Sequence, residues 1–206
     1  SEAELSRMMV GRDVQLVVEK DEAHPSQTVL QVENLTMSSK RHSNNAVKNV
    51  SFDVKAGEIV CIAGIEGNGQ TELVYGITGL EPVTSGKITL SGEDITNQSI
   101  RQRSLKMSHI PEDRHKHGLV LDYPLDYNIV LQRYWQPQFV NKAGILKKDE
   151  IRKYANTLID KFDVRSGQGA STVARSMSGG NQQKAIIARE LDKDHDLLVA
   201  VQPTRG

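Results

Sequence analysis

Residues 64–71 read Gly-Ile-Glu-Gly-Asn-Gly-Gln-Thr, and no other stretch constrains the chain as much. The apolar run Glu58 to Ala63 leads into these glycines as a strand, and a helix is expected from Gly69 to about Tyr75. A strand, a glycine loop and a helix in that order aim successive backbone N–H groups at one point, where an anion is held at a helix N-terminus. Gly64, Gly67 and Gly69, with Asn68 between the last two, let the backbone turn tightly and approach phosphate oxygens. Thr71 carries the hydroxyl that such loops direct to Mg²⁺. The spacing is G-x-x-x-x-G-K-[S/T] with Gln70 in place of the lysine. An amide still donates a hydrogen bond but brings no charge. A charge-assisted bond contributes ~1.5–3 kcal/mol and a neutral one ~0.5–1.5 kcal/mol, so the loop keeps its shape and loses part of its grip.

Apolar periodicity organises the rest. Residues 1–13 read as a short helix ending near Gly11, and 14–27, with Pro25, as a linker. Leu30-Gln31-Val32-Glu33 alternates, as do Val50, Phe52 and Val54, which predicts two half-exposed strands paired antiparallel across the polar loop SSKRHSNN. Lys87–Leu90 and Met107–Ile110 read as strands, the second buried and ended by Pro111, and 112–118 as a charged loop. A helical region follows, its clearest element running from Lys147 to Phe162 with Ile151, Tyr154, Ala155, Leu158 and Phe162 on one stripe. Tyr134 and Trp135 are expected to pack within that region. A helix beginning after Ser178 runs through Gln183, Ile187 and Leu191, and Leu197–Val201 reads as a buried strand. Strands alternating with helices around a glycine loop imply an α/β core with a parallel sheet.

Ser178-Gly179-Gly180 precedes the late helix. Ser178 can cap it, and the glycine N–H groups can hold an anion. The segment Met177–Lys184, MSGGNQQK, closely resembles the signature motif of the ATP-binding cassette (ABC) proteins, and its distance from the glycine loop fits that family. The resemblance implies a P-loop NTPase core with an antiparallel β subdomain and a helical subdomain. It also implies that Ser178, Gly179, Gly180, Asn181 and Gln182 contact the γ-phosphate of ATP held on the opposite domain of a head-to-tail dimer. In the family the terminal strand ends in an Asp that supports Mg²⁺ and a Glu that activates water. Here Val201 and Gln202 stand there, and Glu112 stands where a glutamine usually touches the metal. The loop before Val47 offers no aromatic residue to stack on adenine. Phosphoryl transfer depends on a placed metal and nucleophile, so this copy is expected to hydrolyse ATP poorly or not at all at its own loop. Gln202 alone would suit an engineered trap, but Val201 and Gln70 together argue for natural degeneracy.

The resemblance covers about residues 28–206, and SRMMVGRD looks like the end of a preceding cassette. Residues 1–27 are therefore expected to be the tail of a first domain and a linker, and 28–206 a second cassette ending before its last strands, with an edge left open to self-association. GIEGNGQTEL, HIPEDRHKHGLVLD and AVQPTRG look like the second half of nucleoside-importer ATPases more than ribose-importer ones. The partners so implied are the first nucleotide-binding domain of the same chain, membrane permease subunits and, indirectly, a solute-binding protein, with the domain peripheral on the cytoplasmic face of the membrane. The alternatives are a scaffold half-site that binds no nucleotide and a soluble cassette ATPase outside transport.

Composition narrows the remaining classes. Lys+Arg and Asp+Glu both number 26, so there is no net basic excess of the kind nucleic-acid binders carry. No run of 18 apolar residues is present. The single Cys61 excludes an internal disulfide, and its place in VCIAG predicts a buried structural thiol. His109, His115 and His117 lie close in sequence and raise the possibility of a zinc site, although a solvated charged loop is the simpler reading.

Overall fold

Alternation along the first apolar segment builds the largest sheet. In the computed structural model, which describes Glu4, Met8 and residues 21–38, 45–65 and 67–204, β1 (Thr28–Ser38) buries Val29, Leu30, Val32, Leu35 and Met37. β2 (Asn45–Lys55) runs antiparallel to it, with Leu30 opposite Val54, Val32 opposite Phe52 and Leu35 opposite Val50. The expected antiparallel pairing is therefore met. β3 (Ser85–Leu90) pairs with the other edge of β1, and the short β4 (Glu93–Asp94) follows, in the order β2-β1-β3-β4. Gly86 has φ 101°, and a Cβ there would meet the carbonyl oxygen of Asn34 at 2.6 Å, so glycine is required where β3 crosses β1.

The helix after the glycine loop, α1 (Gln70–Thr78), is longer than expected and ends at Gly79 in the left-handed region. It lies on the inner face of the sheet, where a Cβ on Gly76 would come within 2.7 Å of Met37 Sδ. Leu73 and Ile77 join the strand residues in one core. After the short α2 (Ile100–Arg103), capped by a reciprocal Ser99–Gln102 box, β5 (Met107–Ile110) pairs in parallel with β6 (Leu197–Ala200).

A second core is helical. It joins α3 (Leu125–Val130), α4 (Lys148–Lys161) and α5 (Gly179–Asp192) around Leu125, Ile129, Phe139, Ile151, Ala155 and Leu158. Each fully buried aliphatic side chain of this kind stabilises by roughly 1.5–3 kcal/mol. On the α4 stripe Ile151, Ala155 and Leu158 are buried, with Tyr154 and Phe162 packed at its margin. Asp149 and Glu150 in its first turn and Lys161 in its last complement the helix dipole.

Several expectations need correction. Residues 58–65 form no strand. Ile59, Val60, Ile62 and Ile65 are exposed, and so is Cys61, which is not a buried structural thiol. An apolar run becomes a strand only where another strand satisfies its backbone, and among the described residues none lies against it. The expected parallel sheet is present, among the described residues as the pair β5 and β6, and the four-stranded sheet is the expected antiparallel subdomain. β6 is shorter than expected and buries only Leu197. The charged loop 112–118 contains one turn of π-helix, Arg114–Gly118. Trp135 does not pack inside the helical core but stacks under the Arg101 guanidinium, 5.0 Å from its ring centre, and Tyr134 is exposed, because the chain leaves α3 toward α2 there. The helix expected over 1–13 lies outside the described residues except for Glu4 and Met8, both helical. Of the linker, 21–26 is irregular and exposed, and the interior of the SSKRHSNN loop, 39–44, lies outside the described residues.

Candidate functional site

The glycine loop turns on two left-handed residues, Gly67 at φ 92° and Gly69 at φ 95°. A Cβ on Gly69 would lie 2.4 Å from the carbonyl oxygen of Ala46, so the loop is held close under β2. Gly69 begins α1 without any side-chain cap. The first N–H groups of an α-helix have no intrahelical partner, and here they open on an exposed turn with Thr71 at the surface. This arrangement suits a phosphate group. Gln70 does not extend its amide outward. Its Nε2 donates to the carbonyl of Ile65 at 3.2 Å and fills the space beside Gly64.

At the other glycine segment the Ser178 side chain accepts the N–H of Asn181 at 3.4 Å and the Asn181 side-chain amide at 2.9 Å. Asn181 Oδ1 in turn accepts the backbone N–H of Arg165. Ser178 and Gly180 remain exposed, and Gly179 lies beside the Arg114 guanidinium. Gln182 and Gln183, by contrast, are turned inward and almost fully buried. Gln182 donates to the carbonyl of Ala174 at 2.8 Å, and Gln183 donates to that of Pro203 at 3.0 Å. Gln182 therefore supports this turn through its side chain and does not present that side chain at the surface.

Parallel pairing of β5 with β6 sets Ile110 opposite Ala200, so the segments carrying Glu112 and Val201-Gln202 leave the sheet at the same end. The Val201 N–H donates to the Ile110 carbonyl at 3.0 Å, which continues the pairing past the strand. Gln202 is exposed with φ 46°. Glu112 is exposed one residue before Asp113, whose carboxylate accepts the N–H groups of His115 and Lys116 and starts the π-turn. Those backbone bonds, led by the one from Lys116, hold the Asp113 carboxyl below the usual range.

The three histidines diverge. His109 is half-buried in β5, and burial lowers its pKa to about 4 despite the nearby Glu190. His115 reaches Gln182 and His117 reaches Tyr75. Among the described residues no group of three or more His, Cys, Asp or Glu side chains could hold a metal ion.

Sequence reasoning missed the buried charges that hold these elements. Glu190 is fully buried. It accepts from Gln132 at 2.7 Å, from Arg189 at 2.9 Å and from the His109 N–H at 3.2 Å, and it pairs with Lys193 at 3.3 Å. Arg103 caps the C-terminal end of α1 by donating to the carbonyls of Gly76 and Ile77 at 2.6 and 2.7 Å. A charged residue inside an otherwise apolar helical pattern was the available signal for Glu190. Arg103 gave none.

The family model for ABC transporters matches residues 47–205, which hold both glycine segments and the β6 end. The chain belongs to the ABC transporter family. This ABC transporter chain is 51% identical over 204 residues to the nucleoside import ATP-binding protein NupA of Lactococcus lactis, covering 98% of this chain and 40% of that protein. It is 49% identical over 204 residues to the guanosine import ATP-binding protein NupO of Bacillus subtilis, covering 98% and 39%. A ribose import ATP-binding protein RbsA of Bacillus cereus is 33% identical over 207 residues, again 98% of this chain and 39% of that protein. The chain thus spans about two fifths of the length of these relatives. The dimeric ATP-binding cassette MJ0796, solved bound to ADP and Pi, superposes with a TM-score of 0.70 at 24% identity, covering 85% of this chain and 75% of that one. The ABC-type P-loop fold is therefore established for the chain.

Proposed function

We propose that this chain is a second cassette, residues 28–206 with 1–27 as the tail and linker of a first, in the ATPase of an importer for nucleosides or ribose-like sugars. Its Ser178–Gly180 turn serves ATP held on the first nucleotide-binding domain, and its own loop holds nucleotide without turnover. The observation that carries this reading is the contrast between the two glycine segments. The Ser178 turn is capped and open at an α-helix N-terminus. The Gly64–Thr71 loop has Gln70 folded onto Ile65, with Val201 and Gln202 at the positions of the expected acids. The nucleoside and ribose import named for the relatives supports the substrate class.

Bound ATP would supply the phosphoanhydride, and Mg²⁺ would supply positive charge to offset that of its phosphates. Phosphate fits the N–H groups after Gly69, with Gly64, Gly67 and Asn68 shaping the loop. Thr71 would hold the metal through its hydroxyl, and Glu112 leaves the sheet beside Val201, which offers no oxygen in its side chain. Gln202 can orient a water, but its neutral amide does not abstract a proton from it as the expected carboxylate would. Among the described residues no helix is long and apolar enough to cross a membrane, which accords with a domain docked on the cytoplasmic face against permease subunits that receive substrate from a solute-binding protein. No nucleic-acid partner is proposed.

Gly179→Asp in the assembled transporter is expected to abolish ATP turnover, because it sets a carboxylate where a phosphate is to be received. Near-normal turnover would remove the assigned role. The Gln70–Ile65 bond also favours a second reading, a scaffold half with no nucleotide at its own loop. Calorimetry with ATP, with and without Mg²⁺, separates the two: saturable binding supports the first reading, and none at millimolar ATP on folded protein supports the second.

A further inference from the structure

The π-turn Arg114–Gly118 lies between the two glycine-bearing helices and touches both. On one side its residues follow a single face of α5. Arg114 lies beside Gly179, His115 bonds Gln182, and Gly118 faces Ile186, whose Cδ1 would sit 2.5 Å from a Cβ at 118. Positions 179, 182 and 186 are spaced i, i+3, i+7 and share one stripe of the helix. On the other side the His117 ring meets Tyr75 of α1 edge-on at 5.4 Å, with the hydroxyl 3.3 Å from Nε2.

The hydrogen-bond sense at His115 follows from its partner. Gln182 Nε2 donates to the Ala174 carbonyl, which can only accept, so the amide is fixed with Oε1 toward His115. His115 Nε2, 3.0 Å away, is therefore the donor. The Asp113 carboxylate holds the backbone N–H of His115 at 3.0 Å, and the Leu119 N–H closes the turn onto the Arg114 carbonyl at 2.9 Å. Gln182 is thus clamped from two sides one turn after Ser178.

We propose that His115 is a positioning residue that fixes the Ser178–Gly180 turn through Gln182, within a π-turn that spaces this turn from the glycine-loop helix α1. The proposal rests on the role given above to the Ser178–Gly180 turn, but its geometric half stands without it.

The test uses His115→Ala and His115→Gln in the intact ATPase assembled with its membrane subunits. Hydrogen exchange of the backbone amides of Asn181 and Gln182, which are bonded to Ser178, is expected to rise about tenfold in His115→Ala, as for loss of a bond to a buried acceptor. Exchange across α4 should stay unchanged. His115→Gln, which keeps a side-chain N–H donor, should restore most of the protection. With ATP as substrate, kcat should fall about tenfold or more in His115→Ala while KM changes little, and His115→Gln should recover it. Unchanged exchange in His115→Ala overturns the proposal. So does unchanged kcat when Gly179→Asp abolishes turnover. If Gly179→Asp leaves turnover intact, the role of the Ser178 turn fails instead, and the exchange result alone decides whether His115 positions it.

Discussion

Replacing Glu190 by Gln is the sharpest perturbation that the buried network permits. The side chain is 0% exposed, while Arg189 and Lys193 are 3% and 7% exposed. Glutamine keeps the shape and one acceptor oxygen, but it turns the other oxygen into a donor. That donor then faces the His109 N–H and the Lys193 ammonium or the Arg189 guanidinium, and both cations lose their counter-charge. Breaking a buried ion pair by removing one partner costs about 3–5 kcal/mol. The lower half applies here, because Arg189 still donates to the carbonyls of Gly118 and Asn128, and Lys193 to Gln132 and Ser104. Urea unfolding should show a loss of about 3 kcal/mol, equivalent to a fall in Tm of roughly 6–12 °C for a domain of this size. Lys193→Met added to Glu190→Gln should cost less than the sum of the single changes. A loss under about 1 kcal/mol, or strict additivity, would refute the idea that Glu190 carries the network. The acid side has a defined sign. Burial, the largest influence, pushes the Glu190 carboxyl up, but Arg189, Lys193 and the His109 N–H outweigh it, so its folded pKa is lowered. Its contribution is present above the ordinary carboxylate pKa and is lost as pH falls through the lowered folded value.

Arg103→Met keeps the stem but leaves the α1 carbonyls of Gly76 and Ile77 without their donor, and thermal unfolding should show a loss of about 2–4 kcal/mol. His109, held neutral by burial with a pKa of about 4, makes the fold lose stability as pH drops from its ordinary 6.5 toward 4, by at most about 3 kcal/mol. His109→Phe should flatten that part of the urea midpoint-versus-pH curve, and an unchanged curve would assign the loss elsewhere. Gln70→Lys returns a charge to the glycine loop and should tighten ATP binding by roughly five- to tenfold in calorimetry, with no gain in turnover.

What the sequence disclosed depended on how local the cause was. β1 and β2 could be read from alternation because their partners are neighbours and each strand has one buried face. The α4 stripe and the Ser178 cap are similarly short-range facts. The apolar run at 58–63 misled because burial is a property of a strand and its partner together, and Cys61 was carried with it. The π-turn escaped notice because RHKHG has no apolar period. Its form is set by Asp113 at its start and by Gln182 and Tyr75, which are remote in sequence. Of the candidate site, the two glycine segments ahead of their helices were legible from spacing alone. The inward turn of Gln182 and Gln183 was not, since their acceptors are backbone carbonyls that any sequence supplies.

The pairing of β5 with β6 has a consequence in chain entropy. Met107 meets Leu197, so the two short strands close a loop of 90 residues, whereas β1 and β2 meet across 7 at Ser38 and Asn45. The longer closure costs about 2 kcal/mol more by the logarithmic rule. A parallel contact four residues long has little with which to offset that. It persists because α5 lies along it, with Ser108 bonded to the Glu190 carbonyl and Glu190 to the His109 N–H. The geometry at the β6 end is therefore only as ordered as the helix behind it.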